Sequence, residues 1–411
     1  MHRKFIPAYL LTLVNVLGFS ILMPVLPFVV VDHYHAPKYV YGLLLSFYSI
    51  FQFFGASYLG RLSDSIGRKP VLLISQAGTL LCWVIFGVAY FLPVDYMVGG
   101  FAISLLVIAL ARILDGLTGG NTSVAQAYVS DITTKEEKKY IFGYIGGIVG
   151  LGMIAGPAIG GVSASTSFGY LGTVCCTALL SLITLLAIFW NLEESLPPEK
   201  RKANEGQSFL SSLLLLQRMR QLQKAKQLRK VFALRALFNI TMATYISTIA
   251  LFIIDLFGFD EQQLGMFMLV VGVFISLNQA LVSKWFIGKV GVYRTLQLGM
   301  IFSIIGFISI TLTDQLWLYI ALYYILNLGI ALCAPTLNAL LAQQSDPKEA
   351  GEVMGIAESI GSLSNAIFPI IGAAAYGFLG ADLYLWVAVL PLCGLILSYG
   401  AHEAYAESEA S

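Results

Sequence analysis

The sequence predicts an all-α membrane protein of about twelve transmembrane helices in two related halves. Three observations predict it: a composition suited to a bilayer, apolar runs of crossing length along the whole chain, and basic residues confined to one side. Of 411 residues, 58% are hydrophobic and 11% charged, against about 25% charged in a soluble domain. Mean hydropathy is +0.80. Folding in water would leave much of that apolar surface uncovered, so the bilayer is the natural solvent. A net charge of +1 gives no reason to expect a nucleic-acid partner.

Runs able to cross roughly 30 Å of hydrocarbon cover residues 5–30, 40–60, 71–92, 100–128, 140–163, 167–190, 231–256, 263–285, 293–312, 315–342, 351–378 and 381–401, with boundaries good to about four residues. Irregular backbone or an open sheet cannot face lipid, so each run is a helix. The first follows Met1, His2, Arg3 and Lys4 and stays apolar to about Val30. It is too long for the core of a cleavable signal and contains prolines, so it is the first span.

Lys and Arg orient the chain. Of the 24, only Lys38 falls in an outer loop and Arg112 inside a helix. The rest lie at the N-terminus, in even-numbered loops or at inner helix ends, as Arg68, Lys69, Lys138, Lys139, Lys284 and Lys289 do. Both termini are therefore expected in the cytoplasm. The longest polar stretch, 191–230, divides the spans six and six. The expected organisation is an N-terminal bundle 1–190, this linker, a C-terminal bundle 231–402 and a short tail 403–411. The linker carries Pro197, Pro198 and a basic run from Arg218 to Lys230. From Ser208 onward it reads either as an amphipathic helix on the inner leaflet or as a solvated connection. Gly67 and Gly291, each with a basic residue soon after, align the two halves as repeats.

Five cysteines (Cys82, Cys175, Cys176, Cys333 and Cys393) fall in apolar runs with no CxxC pair, and read as small core residues. His33 and His35 flank Tyr34 in a short loop without metal-ligand spacing, so no metal site is expected.

The second loop carries Gly60, Leu62, Asp64, Gly67, Arg68 and Lys69. Glycine permits a tight turn there, and Asp64 can take a helix N-terminus or an arginine as partner. The fifth run carries Gly143, Gly152, Gly156, Pro157, Gly160 and Gly161, where small residues allow close helix approach and proline weakens a backbone bond. The first run ends with Leu17, Gly18, Pro24, Val25 and Pro27, and the fourth holds Arg112 and Gly116. These patterns resemble the signature motifs of the major facilitator superfamily. The first- and fifth-run motifs are similar to those of its twelve-helix drug/proton antiporters. The stretch from Gly67 through Asp131 to Glu193 and Glu194 resembles the tetracycline-efflux-like branch. The resemblance implies two six-helix bundles around a central cavity lined by helices 1, 4, 7 and 10. It also implies an Asp64 latch on the cytoplasmic side, export by antiport, and no cofactor. Ser65 stands where that pattern has an arginine, which removes one partner of the latch.

Ionisable groups inside spans are expensive and usually functional. Arg112 lies about 17 Å from the outer end of its run, with Asp115 one turn further on the same face. The pair reads either as an ion pair that offsets its own burial or as a proton-sensitive switch. Glu358 has no charged neighbour one turn away on its own helix, and reads either as a lone buried carboxylate able to carry a proton or as lining a wet cavity. Asp255, near the outer end of the seventh run, reads as interfacial. The tetracycline-efflux pattern carries acidic residues where this chain has Asn15 and Cys82, so the resemblance does not extend to that substrate or proton path. Asn15, Gln52, Asn239, Tyr245 and Asn327 are candidate solute contacts. For each, an interhelical hydrogen bond is the alternative.

The expected function is proton-coupled antiport of a small amphiphilic compound by alternating access. The partners are the solute, protons and the lipid bilayer, and the chain is a monomer. Carriage of one metabolite or siderophore, a non-transporting receptor and a membrane enzyme are the alternatives. The last finds neither a phosphate-binding G-x-x-x-x-G-K-[ST] loop nor a His/Glu or Asp cluster. Asn-x-Ser/Thr occurs only at Asn121 and Asn239, inside helices, which favours a bacterial inner membrane.

Overall fold

The computed structural model describes residues 5–201, 225–346 and 349–410. Among them, eleven helical stretches are long and apolar enough to cross a membrane. The last, Ala350–Gly400, has 51 residues. At 1.5 Å per residue it runs about 77 Å, more than twice the hydrocarbon core. It breaks at Gly380–Asp382, where Gly380 takes φ 56°, so it supplies the eleventh and twelfth crossings. Observed boundaries follow the expected ones except at two inner ends. The second span continues to Ile66 and the eighth to Val290, because their polar ends stay helical until a glycine stops them. The amphipathic reading of the linker from Ser208 falls largely on 202–224, outside the described residues.

The chain divides into two compact units, Met1–Ser212 with Phe259–Leu269, and Leu213–Gly258 with Val270–Ser411. In the first unit the spans are Ala8–His33, Lys38–Ile66, Arg68–Tyr90, Ile103–Asp131, Gly143–Ala164 and Tyr170–Asn191. Pro24 and Pro27 lack the N–H that would close the last turns of the first helix, and the chain passes into a π-helix, Phe28–His33. Short strands β1 (Met97–Val98) and β2 (Phe101–Ala102) pair in the loop before the fourth span. The helix containing the fifth span, Lys135–Ala164, opens on a reciprocal cap: the Glu137 N–H donates to Thr134 Oγ1 at 3.3 Å, and the Thr134 N–H donates to Glu137 Oε2 at 3.0 Å.

The small residues of the fifth span meet the first span. A side chain at Gly156 would overlap Ser20 Oγ, and one at Gly160 would overlap the Ile21 carbonyl. One at Gly152 would stand 2.8 Å from Val16 Cγ1. Ser20 Oγ uses that closeness to donate to the Gly152 carbonyl at 3.0 Å. Gly161 and the Pro157 carbonyl face another way, onto Glu261 and Gly265 of the 259–269 segment, which groups with the first unit although it begins the eighth span. Gly143 has nothing within 4 Å and takes no part in the seam.

The second unit contains the seventh span, Leu228–Phe257, most of the eighth, Glu261–Val290, and the ninth and tenth, Val292–Ser309 and Leu316–Gln344. The Ala350–Gly400 pair completes it. A core of Leu228, Val231, Leu296, Leu337, Leu341 and Val353 holds it together near one end. The repeat relation appears in the turns. Gly67 between the second and third spans has φ 109° and ψ 160°, and Gly291 between the eighth and ninth has φ 84° and ψ 168°. Gly169 before the sixth span (φ 55°, ψ −142°) and Gly380 before the twelfth (φ 56°, ψ −133°) form a second matching pair. These positive-φ conformations favour glycine.

Two cysteines depart from the core reading: Cys175 and Cys393 are exposed on the outsides of their helices, while Cys82 and Cys333 are buried. Apolar runs do not distinguish core from lipid-facing sides, since both accept a small apolar residue.

Candidate functional site

The fourth span sets Arg112 and Asp115 about 14 Å and 18 Å from its start at Ile103. Both are buried, at 2% and 8% exposure. Arg112 Nη1 donates to Asp115 Oδ2 at 3.0 Å, and its guanidinium carbon lies 4.5 Å from the centre of the Tyr48 ring. Tyr48 is brought there by Gly116, at which a side chain would stand 2.5 Å from the Tyr48 carbonyl. Gln52 lies one turn on and donates to the Tyr48 hydroxyl at 2.9 Å. Cys82, Trp83 and Phe86 of the third span lie beside the pair. The Arg112 Nε is buried without an acceptor. The arrangement thus holds one balanced charge pair in an apolar wall, with one donor to spare. Position 82, acidic in the related pattern, looks onto this same pair.

The other polar candidates divide. Asn15 Nδ2 donates to Asn121 Oδ1 at 2.5 Å, a first-to-fourth-span bond. Tyr245 and Tyr323 share a hydroxyl–hydroxyl bond between the seventh and tenth spans. Both bonds run between helices. Asn327 donates to the Tyr323 carbonyl at 3.0 Å, yet its Oδ1 is buried without a donor. Asn239 Nδ2 is likewise buried without an acceptor. Among the described residues no group of three or more His, Cys, Asp and Glu could hold a metal ion.

Glu358 is not the buried, lone carboxylate its own helix suggested. Its side chain is 80% exposed, and its Oε1 lies 3.7 Å from Nη2 of Arg235. The partner comes from the seventh span, which no spacing within the eleventh could reveal. Arg235 itself was missed, grouped with the inner helix ends because it follows the basic run. It lies about 10 Å along the seventh span from Leu228, only 12% exposed, with Nη1 donating to Asn338 Oδ1 at 3.0 Å. The one available signal was an arginine inside an apolar run.

At the loop-motif end of the first unit, Arg68 is a hub. It meets Asp64 at 2.6 Å, Asp131 at 3.1 Å and Ser63 Oγ at 2.6 Å. Asp64 therefore takes the arginine of the two partners open to it. The helix N-terminus goes to Glu194, whose two oxygens accept the Arg68 and Lys69 N–H groups at 2.9 and 3.2 Å. A side chain at Gly67 would collide with Glu194, a second reason for glycine beside its φ. Lys69 Nζ donates to the Phe189 carbonyl at 3.0 Å, and Ser65 Oγ turns back to the Leu62 carbonyl.

Membrane-crossing helices in two units, with a charge pair buried in one of them, define a multi-pass membrane protein. The sequence profile of the Major Facilitator Superfamily matches residues 8–369, and the chain belongs to that superfamily. It is 27% identical over 405 residues to the class H tetracycline resistance protein of Pasteurella multocida, covering 97% of this chain and 94% of that one. It is 28% identical over 410 residues to the class D protein of Salmonella ordonez, covering 97% and 96%. The fold is similar to that of the human organic anion transporter MFSD10 (TETRAN), with a TM-score of 0.69 at 23% identity over 96% of this chain and 99% of that one.

Proposed function

We propose that this transporter is a proton-coupled antiporter that exports a small amphiphilic compound by alternating access, from a bacterial inner membrane with both termini in the cytoplasm. One observation carries the reading: Arg112 and Asp115 are a closed charge pair deep in the fourth span, with no other carboxylate against the guanidinium among the described residues. Protonating Asp115 would leave Arg112 a buried cation with only the Tyr48 ring opposite it. That state is costly, and opening the site to water or to a solute acceptor relieves it. The proton thus biases which arrangement of the helices is stable. Asp115 supplies, from one turn past Arg112, the carboxylate that position 82 lacks. The efflux relatives and the fifth-span motif support the export direction. Glu358 is 80% exposed and not buried, and this reading gives it no part in moving the proton.

The test uses purified protein in liposomes loaded with a pH-sensitive dye, with tetracycline and ethidium as the first probes and a drug, siderophore and amino-acid panel behind them. Wild type should release protons against any transported probe. Asp115→Asn should abolish movement driven by the pH gradient while leaving solute exchange. Retention of gradient-driven movement by Asp115→Asn would sink the reading.

A further inference from the structure

Arg235 and Asn239 stand at i and i+4 on the seventh span and so share one face of it. Each ends in a buried donor with no acceptor: Nε of Arg235 and Nδ2 of Asn239. Neither atom can accept a hydrogen bond, so only an acceptor satisfies either. The guanidinium is used on one side alone. Its Nη1 is engaged by Asn338 Oδ1 at 3.0 Å. The opposite edge, Nε with Nη2, is a two-donor fork of the kind that carboxylates fill. Its neighbour there is Glu358, 3.7 Å from Nη2, beyond hydrogen-bond length. The side chains contrast sharply in burial, 12% exposed for Arg235 and 80% for Glu358. Across from Asn239 the eleventh span has Gly361, where even a Cβ would stand 3.3 Å from Nδ2. With no side chain there the eleventh span closes over the buried amide, and an acceptor reaches it only as that span moves away.

We propose that Arg235, Asn239 and Asn338 bind a carboxylate group on the transported solute, and that Glu358 is an internal anion which that group displaces. The incoming carboxylate takes the Nε–Nη2 fork and meets the Asn239 amide, satisfying both orphan donors. Glu358, already exposed, swings clear at little cost. The proposal rests on reading the chain as a solute carrier, and not on proton coupling.

The test is thermal-shift titration of the purified full-length protein in detergent, with no gradient present. The probes are acetate, benzoate and phenylacetate, each against its amide of equal size. At least one carboxylate should raise the melting temperature where its amide does not. Glu358→Gln, which removes the competitor, should lower the half-saturating concentration about tenfold. Arg235→Lys keeps the charge but loses the fork, and should weaken binding on the order of 10- to 100-fold. The proposal is overturned if no carboxylate outperforms its amide in both wild type and Glu358→Gln, or if Arg235→Lys binds as wild type does. A protein that binds carboxylates yet moves no protons would refute the antiport reading alone. A proton antiporter indifferent to carboxylates would refute this one alone.

Discussion

Asp115 and Glu358 are both acidic residues inside apolar helices, and their surroundings give them opposite tasks. Asp115 is closed in by Arg112, Tyr48 and the third span, so removing its charge has consequences beyond itself. Breaking a buried pair from one side costs about 3–5 kcal/mol in soluble proteins, because the other charge is left unpaired. Asp115→Asn should therefore lower the melting temperature as well as uncouple transport. Joint replacement, Arg112→Met with Asp115→Leu, should recover the melting temperature without recovering transport. If the double variant also transports against a pH gradient, the pair is structural. Asn15 answers a different need. Its short bond to Asn121 ties the first span to the fourth just where the fourth helix breaks between Gly119 and Thr122. Asn15→Leu should loosen that junction and lower stability by about 1–3 kcal/mol, the cost of leaving the buried Asn121 Oδ1 without its donor, as followed by unfolding temperature.

Among the elements, the fifth span is specified by what it lacks. Its glycines admit the Ser20–Ile21 turn of the first span so closely that Ser20 reaches a neighbouring helix carbonyl. Gly156→Leu should force the two helices apart, overpacking the seam by about 1–3 kcal/mol. Gly143→Leu, about three and a half turns away in open space, should be neutral in the same melting assay. The turn between the second and third spans depends on a different feature. Glu194 reaches back from beyond the sixth span to cap the third. Glu194→Gln should weaken that cap by about 0.5–1 kcal/mol and loosen Arg68, which readouts of the loop's proteolytic sensitivity would register.

At the scale of the whole molecule, turn glycines of the two units match in pairs. Gly67 with Gly291, and Gly169 with Gly380, take nearly the same backbone conformation. Orientation belongs to this scale too, since it is a property of all the loops together. With Cys175 and Cys393 replaced by alanine, a cysteine at Asp95 should react with a membrane-impermeant maleimide in intact cells. One at Glu199 should react only after permeabilisation. The reverse pattern would invert the assigned topology.

Much of this was legible in one dimension. Crossing helices and their number follow from summed hydropathy, because lipid forces every long apolar run into a hydrogen-bonded helix. The Arg112–Asp115 pair was legible for a related reason: its partners lie on one helix, at a spacing that the helix itself sets. The superfamily was readable from loop and helix motifs whose spacing is local. What only the tertiary structure decided is who meets whom across helices. Glu358 looked solitary and Arg235 looked peripheral because each finds its partner on another span. Asp64 had two possible partners, and the distant Glu194 settled the matter by taking the helix end. Residues far apart in sequence are brought together by packing, and packing is decided by the fit of whole helix faces, which no single run of the chain contains.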